Sequence, residues 1–354
     1  MKWANDITNL FKTKYPIVQA PMFGVATPEM VKSATDANVL GSLPLGDLPP
    51  EKCIELIRTT RKLTEKPFAV NLFVYEYPAI TPDLREKYHQ TKSYIEDLAR
   101  SKNLEVKLHD IDTLQITDYR DQVDAAIGEN CKILSFIFGQ LDENSIEKLK
   151  RNNVILVGTC TSVSEAKLLE AAGIDVICVQ GIEAGGHRGS FETENIPQIG
   201  GLSLLAQVYE SVKVPLIYGG GIYNGKTLLA MRTLGAQGFQ VGSLLLGSAE
   251  SALLEFEKQK LRQSSEKDII LSKSYSGRYA RGLVTEFSRL IEATPHILPY
   301  PYQNKLTAEL RKEAKAHKNT DFVGIWTGQS INSYSGDTTK DIFLRLIADA
   351  EKNA

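Results

Sequence analysis

Cysteine is scarce in this sequence. Its four cysteines, at positions 53, 131, 160 and 178, form no CxxC pair and no other metal-ligand spacing, which argues against a zinc module and a disulfide-stapled secreted scaffold. They read as reduced, mostly buried thiols of a cytoplasmic protein. Long hydrophobic runs are missing too: none could span a bilayer, and the opening stretch MKWANDITNLFKTKYP has no signal-like apolar segment, so a soluble intracellular protein is expected. Nor is there an excess of either charge. The 41 basic residues against 43 acidic ones leave a formal charge of -2, which excludes a polyanion-binding surface as the main business. No nucleic acid or membrane partner is expected. No His/Asp/Glu spacing suits a metal, and histidines 89, 109, 296 and 317 lie in charged or proline-flanked surroundings that read as surface.

What the chain does have is the stretch DVICVQGIEAGGHRGS, residues 175–190. A run of strand formers ends at Gln180 and opens into a loop with glycines at 181, 185, 186 and 189 around His187. Glycines remove Cβ atoms where a backbone must lie against a flat ligand or take positive φ. Seven similar apolar runs accompany it. Strands are expected at 17–20, 39–43, 68–74, 133–138, 154–158, 176–180, 215–218 and 238–241. Helical periodicity fills 27–37, 50–63, 143–152, 163–172, 202–211 and 226–234. This β-then-α alternation predicts an α/β fold, a (β/α)8 TIM barrel.

Two places break the alternation. Residues 75–130, between the third and fourth strands, are too many for an ordinary crossover and read as an insertion over one end of the barrel. After the eighth strand, 247–335 reads as a smaller α-rich cap domain. The barrel would then occupy 1–246, and 336–354, with apolar residues 342, 343, 346 and 347 at helical spacing, would return as the eighth barrel helix.

In such a barrel the site is built at the carboxyl ends of the strands. Those ends offer Ala20, Pro21 and Met22; Asn71; Gln180 through Gly185 to Arg188; Gly219, Gly220 and Gly221; and Gln240, Val241, Gly242 and Ser243. Small residues after strands seven and eight suit a phosphate held by backbone N–H groups, although tight βα turns alone would also use them. Asn71 and Gln180 are amides at the ends of apolar strands. A heterocycle with alternating N–H and C=O groups would pair them, as would neighbouring backbone; with a phosphate site alongside, a phosphorylated heterocyclic cofactor explains more of the pattern. Cys160, flanked by threonines with no basic neighbour, reads as a small hydrophobe rather than a nucleophile. Glu183 either orients a neighbour or is solvated, and Arg188 either pairs with an anion or lies on the rim.

The segments YPIVQAPM (15–22), QGIEAGGHRGS (180–190), GGGI (219–222) and QVGS (240–243) resemble those of nitronate monooxygenase, an FMN-dependent barrel family formerly called 2-nitropropane dioxygenase. Several are shared with flavin-containing enoyl-ACP reductases. SGRYARG (276–282), PYPYQNKLT (299–307) and WTGQS (326–330) resemble signatures of the class I nitronate monooxygenases more particularly. The resemblance implies FMN contacts at Asn71, Gln180, Gly185, Gly220 and 240–243, with Ala20–Met22 lining the flavin and His187 nearest the reacting centre. It implies oxidation of alkyl nitronates, such as propionate 3-nitronate, by O2 to a carbonyl compound and nitrite. An NAD(P)H-dependent enoyl reductase is the alternative, and a non-redox phosphate-binding barrel would want a Lys or carboxylate pair at strand ends, which the sequence does not offer. A homodimer is compatible with this reading.

Overall fold

Eight short runs rich in Val, Ile and Leu pair side by side in parallel, as strands buried on both faces do. The computed structural model describes residues 2–192 and 195–354. The strands are β1 (Ile17–Gln19), β2 (Gly41–Gly46), β3 (Phe68–Phe73), β4 (Ile133–Ile137), β5 (Ile155–Cys160), β6 (Val176–Gln180), β7 (Leu216–Gly219) and β8 (Gly238–Val241). From β2 to β8 each pairs with the next, β8 pairs with β1, and between β1 and β2 a single bridge from Val18 to Leu40 closes the ring. The barrel helices are α1 (Pro28–Asp36), α2 (Pro50–Leu63), α3 (Tyr119–Gly128), α4 (Glu143–Arg151), α5 (Val163–Ala171), α6 (Gly201–Ser211), α7 (Gly225–Thr233) and α8 (Thr339–Lys352). Ile7 and Phe11, on the helix Asp6–Phe11, pack with Val18, Ile133, Val176 and Ile217 near the amino ends of the strands.

The fold expected from the alternation is the one observed, with two differences in placement. β2 begins and ends later than 39–43, running through Pro44 to Gly46. Pro44 and Gly46 look like strand breakers, yet the register shifts between them, and a bulge is where a sheet tolerates a missing N–H. The other is α3, which lies inside the stretch 75–130. Its start is fixed by Asp118, whose side chain accepts from the Arg120 N–H, and its buried face carries Tyr119, Val123 and Ala126.

Helix α8 lies between α7 and α1. Its Ile342, Phe343, Leu346 and Ile347 are buried in the main core, each removing an apolar side chain from water. Gly225 opens α7 directly against the backbone of Ala350, where any Cβ would collide, and its N–H donates to Asp349 Oδ2 at 2.6 Å.

A second core lies over the carboxyl ends of the strands. Tyr88, Ile95 and Ala99 of the helix Pro82–Ser101 share it with Leu261, Phe287, Leu310 and Phe322 from the segment after β8. This roof has its own antiparallel sheet, β9 (Ile269–Ser272) paired with β10 (Ala280–Leu283). Its third member is the dipeptide Gly186–His187 from the loop after β6, with Ala280 opposite His187.

Candidate active site

Parallel pairing sets strand ends level with one another, and that register builds the floor of the site. Gln180 stands opposite Gly219, and Gly219 opposite Gln240, so two amides flank a residue without a side chain. Across the barrel Asn71 lies opposite Ser135. A cavity of about 470 Å³ opens above them. It brings together Ala20, Pro21, Met22, Asn71, Gln180, Gly185, His187, the glycines 219–221, Gln240, Gly242 and Ser243. Val241 is not among its walls: its side chain is buried in the core, because alternation along β8 turns it away when Gln240 faces in.

The glycine-rich corner suits a phosphate. Gly220 and Gly221 hold φ values of +136° and +66°, a region that disfavours any Cβ, so the turn is open to close approach. The segment after Trp326 closes this corner from the roof. Gly328 N–H donates to Ser243 Oγ at 2.8 Å, Ser330 Oγ donates to the Gly221 carbonyl at 3.2 Å, and a Cβ on Gly185 would lie 2.5 Å from Gly328 N.

The amides behave differently from one another. Gln180, expected to meet a heterocycle, is already paired: its Nε2 donates to the His187 carbonyl at 2.9 Å and its Oε1 accepts from Gly189 N–H at 2.8 Å. Short sequence separation made the neighbouring backbone the nearer partner, and Gln180 shapes the loop that carries His187. Asn71 Nδ2 donates to Ser135 Oγ at 2.9 Å. Arg188 is not on the rim, and among the described residues no carboxylate forms an ion pair with it. Only 1% exposed, it donates to the carbonyls of Gly181 at 2.6 Å and Gln180 at 3.1 Å, and burial pushes its pKa down to about 10. Glu183 accepts from Tyr218 Oη and, at 3.0 Å, from Gly201 N–H at the start of α6. Cys160 is fully buried, and desolvation, with Glu165 adding, raises its thiol pKa well above the ordinary range, which rules out a ready nucleophile.

His187 sits among the rings of Phe138, Trp326 and Phe73, with centroids 5.3, 5.5 and 6.4 Å away. Its Nε2 is 2.8 Å from Ser276 Oγ. The Ser276 hydroxyl proton is committed to the Arg278 carbonyl at 3.0 Å, so toward the imidazole Ser276 accepts. That assigns the Nε2–H tautomer and leaves Nδ1 with its lone pair. Burial, helped by the charges of Arg278 and Arg311, pushes the His187 pKa down to about 3. The ring is neutral at physiological pH. Phe138 holds φ at +84°, an unusual conformation for an aromatic residue, and the Arg278 guanidinium stacks over its face at 4.4 Å.

Several residues of the cavity carry no mark in the sequence. Asp47 follows β2 and Phe138 follows β4, strands read only for their apolar content, and Arg311 comes from the roof, as do Tyr300, Asn304 and Lys305, which lie in the segment 299–307 quoted for its resemblance but not singled out there. Residues 304, 308 and 311, on the successive short helices Tyr302–Leu306 and Ala308–Ala316, have a spacing visible in the sequence, but nothing there says that they look onto the barrel.

Known proteins bear on this geometry. The profile of the family "Nitronate monooxygenase" matches residues 5–349. A protein of Staphylococcus saprophyticus described as "Probable nitronate monooxygenase" is 37% identical over 334 residues, 93% of each chain. One of Staphylococcus haemolyticus with the same description is 34% identical over 351 residues, 98% of this chain and 97% of that one. Among solved structures, the nitroalkane oxidase of Streptomyces ansochromogenes superposes with a TM-score of 0.88 at 31% identity, covering 98% of both chains. FabK of Thermotoga maritima, at 23% identity and a TM-score of 0.75 over 99% of this chain and 97% of its own, shares the fold. The match over nearly the whole length, with the loop of His187 and the glycine corners inside it, means that this chain belongs to the nitronate monooxygenase family of flavin-dependent oxidoreductases.

Proposed function

We propose that this protein binds FMN and oxidises alkyl nitronates, propionate 3-nitronate among them, with O2 to a carbonyl compound and nitrite. The observation that carries this reading is a neutral imidazole with a free Nδ1, facing the same cavity as a side-chain-free corner fit for a phosphate. Gly219, Gly220, Gly221, Gly242 and Ser243 would hold the phosphate, Asn71 and Gln240 the polar edge of the ring system, and Ala20 to Met22 would lie along it. The flavin, when bound, supplies the electron acceptor and the route to O2.

The chain's own residues do the rest. A nitronate is already an anion, so it needs orientation and exclusion of water more than a strong base, and Phe73, Phe138 and Trp326 supply a dry wall beside His187. Toward a neutral nitroalkane, Nδ1 of His187 would take the proton from the carbon next to the nitro group. Reduced cysteines at all four positions, each buried and unpaired, suit a cytoplasmic setting. No helix among the described residues is long and apolar enough to cross a membrane.

The test is anaerobic mixing of the purified yellow protein with propionate 3-nitronate while flavin absorbance is followed. Rapid loss of the oxidised spectrum is expected. Loss only with NAD(P)H would replace this reading with the reductase. The variant His187→Asn should keep its flavin while nitroalkane turnover falls roughly 10²–10⁴-fold, as for a lost general base, with a smaller loss on preformed nitronates.

A further inference from the structure

Two glycines near the strand ends are called for neither by backbone angle nor by the cavity wall. Gly181 and Gly201 hold no positive φ and do not line the cavity. What forbids a side chain at either place is a pair of side chains already there: a Cβ on Gly181 would lie 2.5 Å from both Tyr218 Oη and Glu183 Oε2, and one on Gly201 would collide with Tyr218 Oη and Glu183 Oε1. The same pair stands against the phosphate corner. A Cβ on Gly220 would lie 3.3 Å from Tyr218 Oη and 3.4 Å from Glu183 Cγ, and one on Gly221 would lie 3.3 Å from Glu183 Cγ.

Tyr218 is fully buried, and its hydroxyl donates to Glu183 Oε1. Burial, with the charge of Glu183 adding, pushes its pKa far above the ordinary phenol range, so it stays a donor. Glu183 Oε2 accepts from Gly201 N–H at 3.0 Å, and the Glu183 carbonyl accepts from Gln329 N–H at 3.0 Å. One residue therefore ties the loop of His187 to β7, to the first turn of α6 and to the roof. Its carboxylate lies in the field of Arg188 and Arg281, whose guanidiniums donate to the carbonyls of Gln180, Gly181 and Ile182. Neither Glu183 nor Tyr218 is among the walls of the cavity.

A helix N-terminus beside a phosphate corner is ordinarily open to the phosphate, but at α6 a protein carboxylate already occupies it. The grip then falls to the turn 219–221 itself. Glycine has the most backbone freedom to lose, so a turn of three glycines binds weakly unless something outside it removes that freedom beforehand. Resting on the FMN reading, we infer that Glu183 and Tyr218 are positioning residues for the cofactor: as a hydrogen-bonded post behind the turn 219–221, they hold its backbone N–H groups in place for a phosphate and so set a preference for FMN over a flavin that lacks one.

Riboflavin is FMN without the phosphate, so comparing the two isolates the turn. The full chain dialysed against each, with bound flavin read by fluorescence, should hold FMN roughly tenfold or more tightly than riboflavin. In Tyr218→Phe, which keeps the ring and removes only the donor, FMN affinity should fall roughly tenfold, the scale of one hydrogen bond to a charged group, while riboflavin affinity holds. Glu183→Gln, whose amide nitrogen cannot accept, should lose the preference in the same way. An equal fall for both flavins would mark a pair that only stabilises the fold, and overturns the assignment. Should Tyr218→Phe not fold, the preference measured in Glu183→Gln decides. A preference present in the unaltered protein and kept in the variants overturns this inference and leaves the FMN reading intact, whereas equal binding of the two flavins by the unaltered protein overturns both. A preference lost in Tyr218→Phe, with nitronates leaving the flavin oxidised, supports the post and sinks only the proposed reaction.

Discussion

The floor and the roof of the cavity are made in opposite ways. The floor is almost bare of charged side chains: level strand ends, glycines and amides present backbone groups and small polar atoms. The roof is all side chain, with Trp326, Tyr300, Lys305 and Arg311 brought in from separate turns of the segment after β8. A floor of this kind recognises what every turnover shares, whereas a roof of this kind can be retuned by single substitutions without touching the barrel. Changes to the floor should therefore cost the protein its fold or its cofactor, and changes to the roof should alter only how well one substrate is used.

The largest effect is expected from removing residues 339–354. Four large buried apolar side chains, each worth about 1.5–3 kcal/mol, would be lost together with the buried Ala350, against a total stability of about 5–15 kcal/mol for a typical domain. Soluble yield and circular dichroism should show no folded barrel. A soluble, yellow truncated protein would mean that the floor does not depend on its outer helix.

Next comes Gly220→Asp. It forces a side chain onto a φ of +136° and sets a carboxylate where the proposed phosphate lies, so flavin per mole of folded protein should drop at least tenfold. Full occupancy would remove that corner from the cofactor site.

A moderate effect concerns acid. In the folded protein the His187 pKa is pushed down from 6.5 to about 3, so between those values the unfolded chain takes up a proton that the folded one does not. Stability then falls as the pH falls from 6.5 toward 3, and is unaffected by this group above 6.5. Urea midpoints measured across that range should decline less steeply in His187→Asn than in the unaltered protein. Parallel slopes would mean that His187 titrates normally in the fold.

The smallest is Ser276→Ala, which frees the imidazole to adopt the other tautomer. Losing one hydrogen bond of about 0.5–1.5 kcal/mol predicts a roughly two- to tenfold lower kcat on nitroalkanes. Turnover of preformed nitronates and flavin content should hold steady. An equal fall on both substrates would point to general loosening instead of a misaligned base.

The same contrast explains what could be read from the sequence. Strands 176–180 and 238–241 were legible because period and glycine punctuation are local, and the site residues at their ends followed from the rule that barrels act at the carboxyl face. Arg311 was not legible. It lies on an ordinary charged amphipathic helix, and only the packing of Leu310 and Ala314 into the second core turns its neighbour toward the cavity. The pairing of Gln180 was not legible, because its partners, the His187 carbonyl and the Gly189 N–H, exist only once the loop has folded back on itself. α3 was hidden for another reason: its weak amphipathic pattern merged with the charged stretch before it.

The short pairing between His187 and Ala280 has a consequence for traffic into the site. One loop is stitched on one side to β6 through Gln180 and Arg188, and on the other to the roof, where Arg188 N–H donates to the Tyr279 carbonyl at 2.8 Å. A roof that swung open as a lid would have to tear this seam, about 0.5–1.5 kcal/mol for every bond, and would carry the imidazole away with it. Entry is therefore expected through small movements of side chains at the doorway, a route open to short nitro acids and dioxygen and closed to bulky guests. Slow amide hydrogen exchange at Arg188, persisting through turnover, would be the sign of a seam that stays shut.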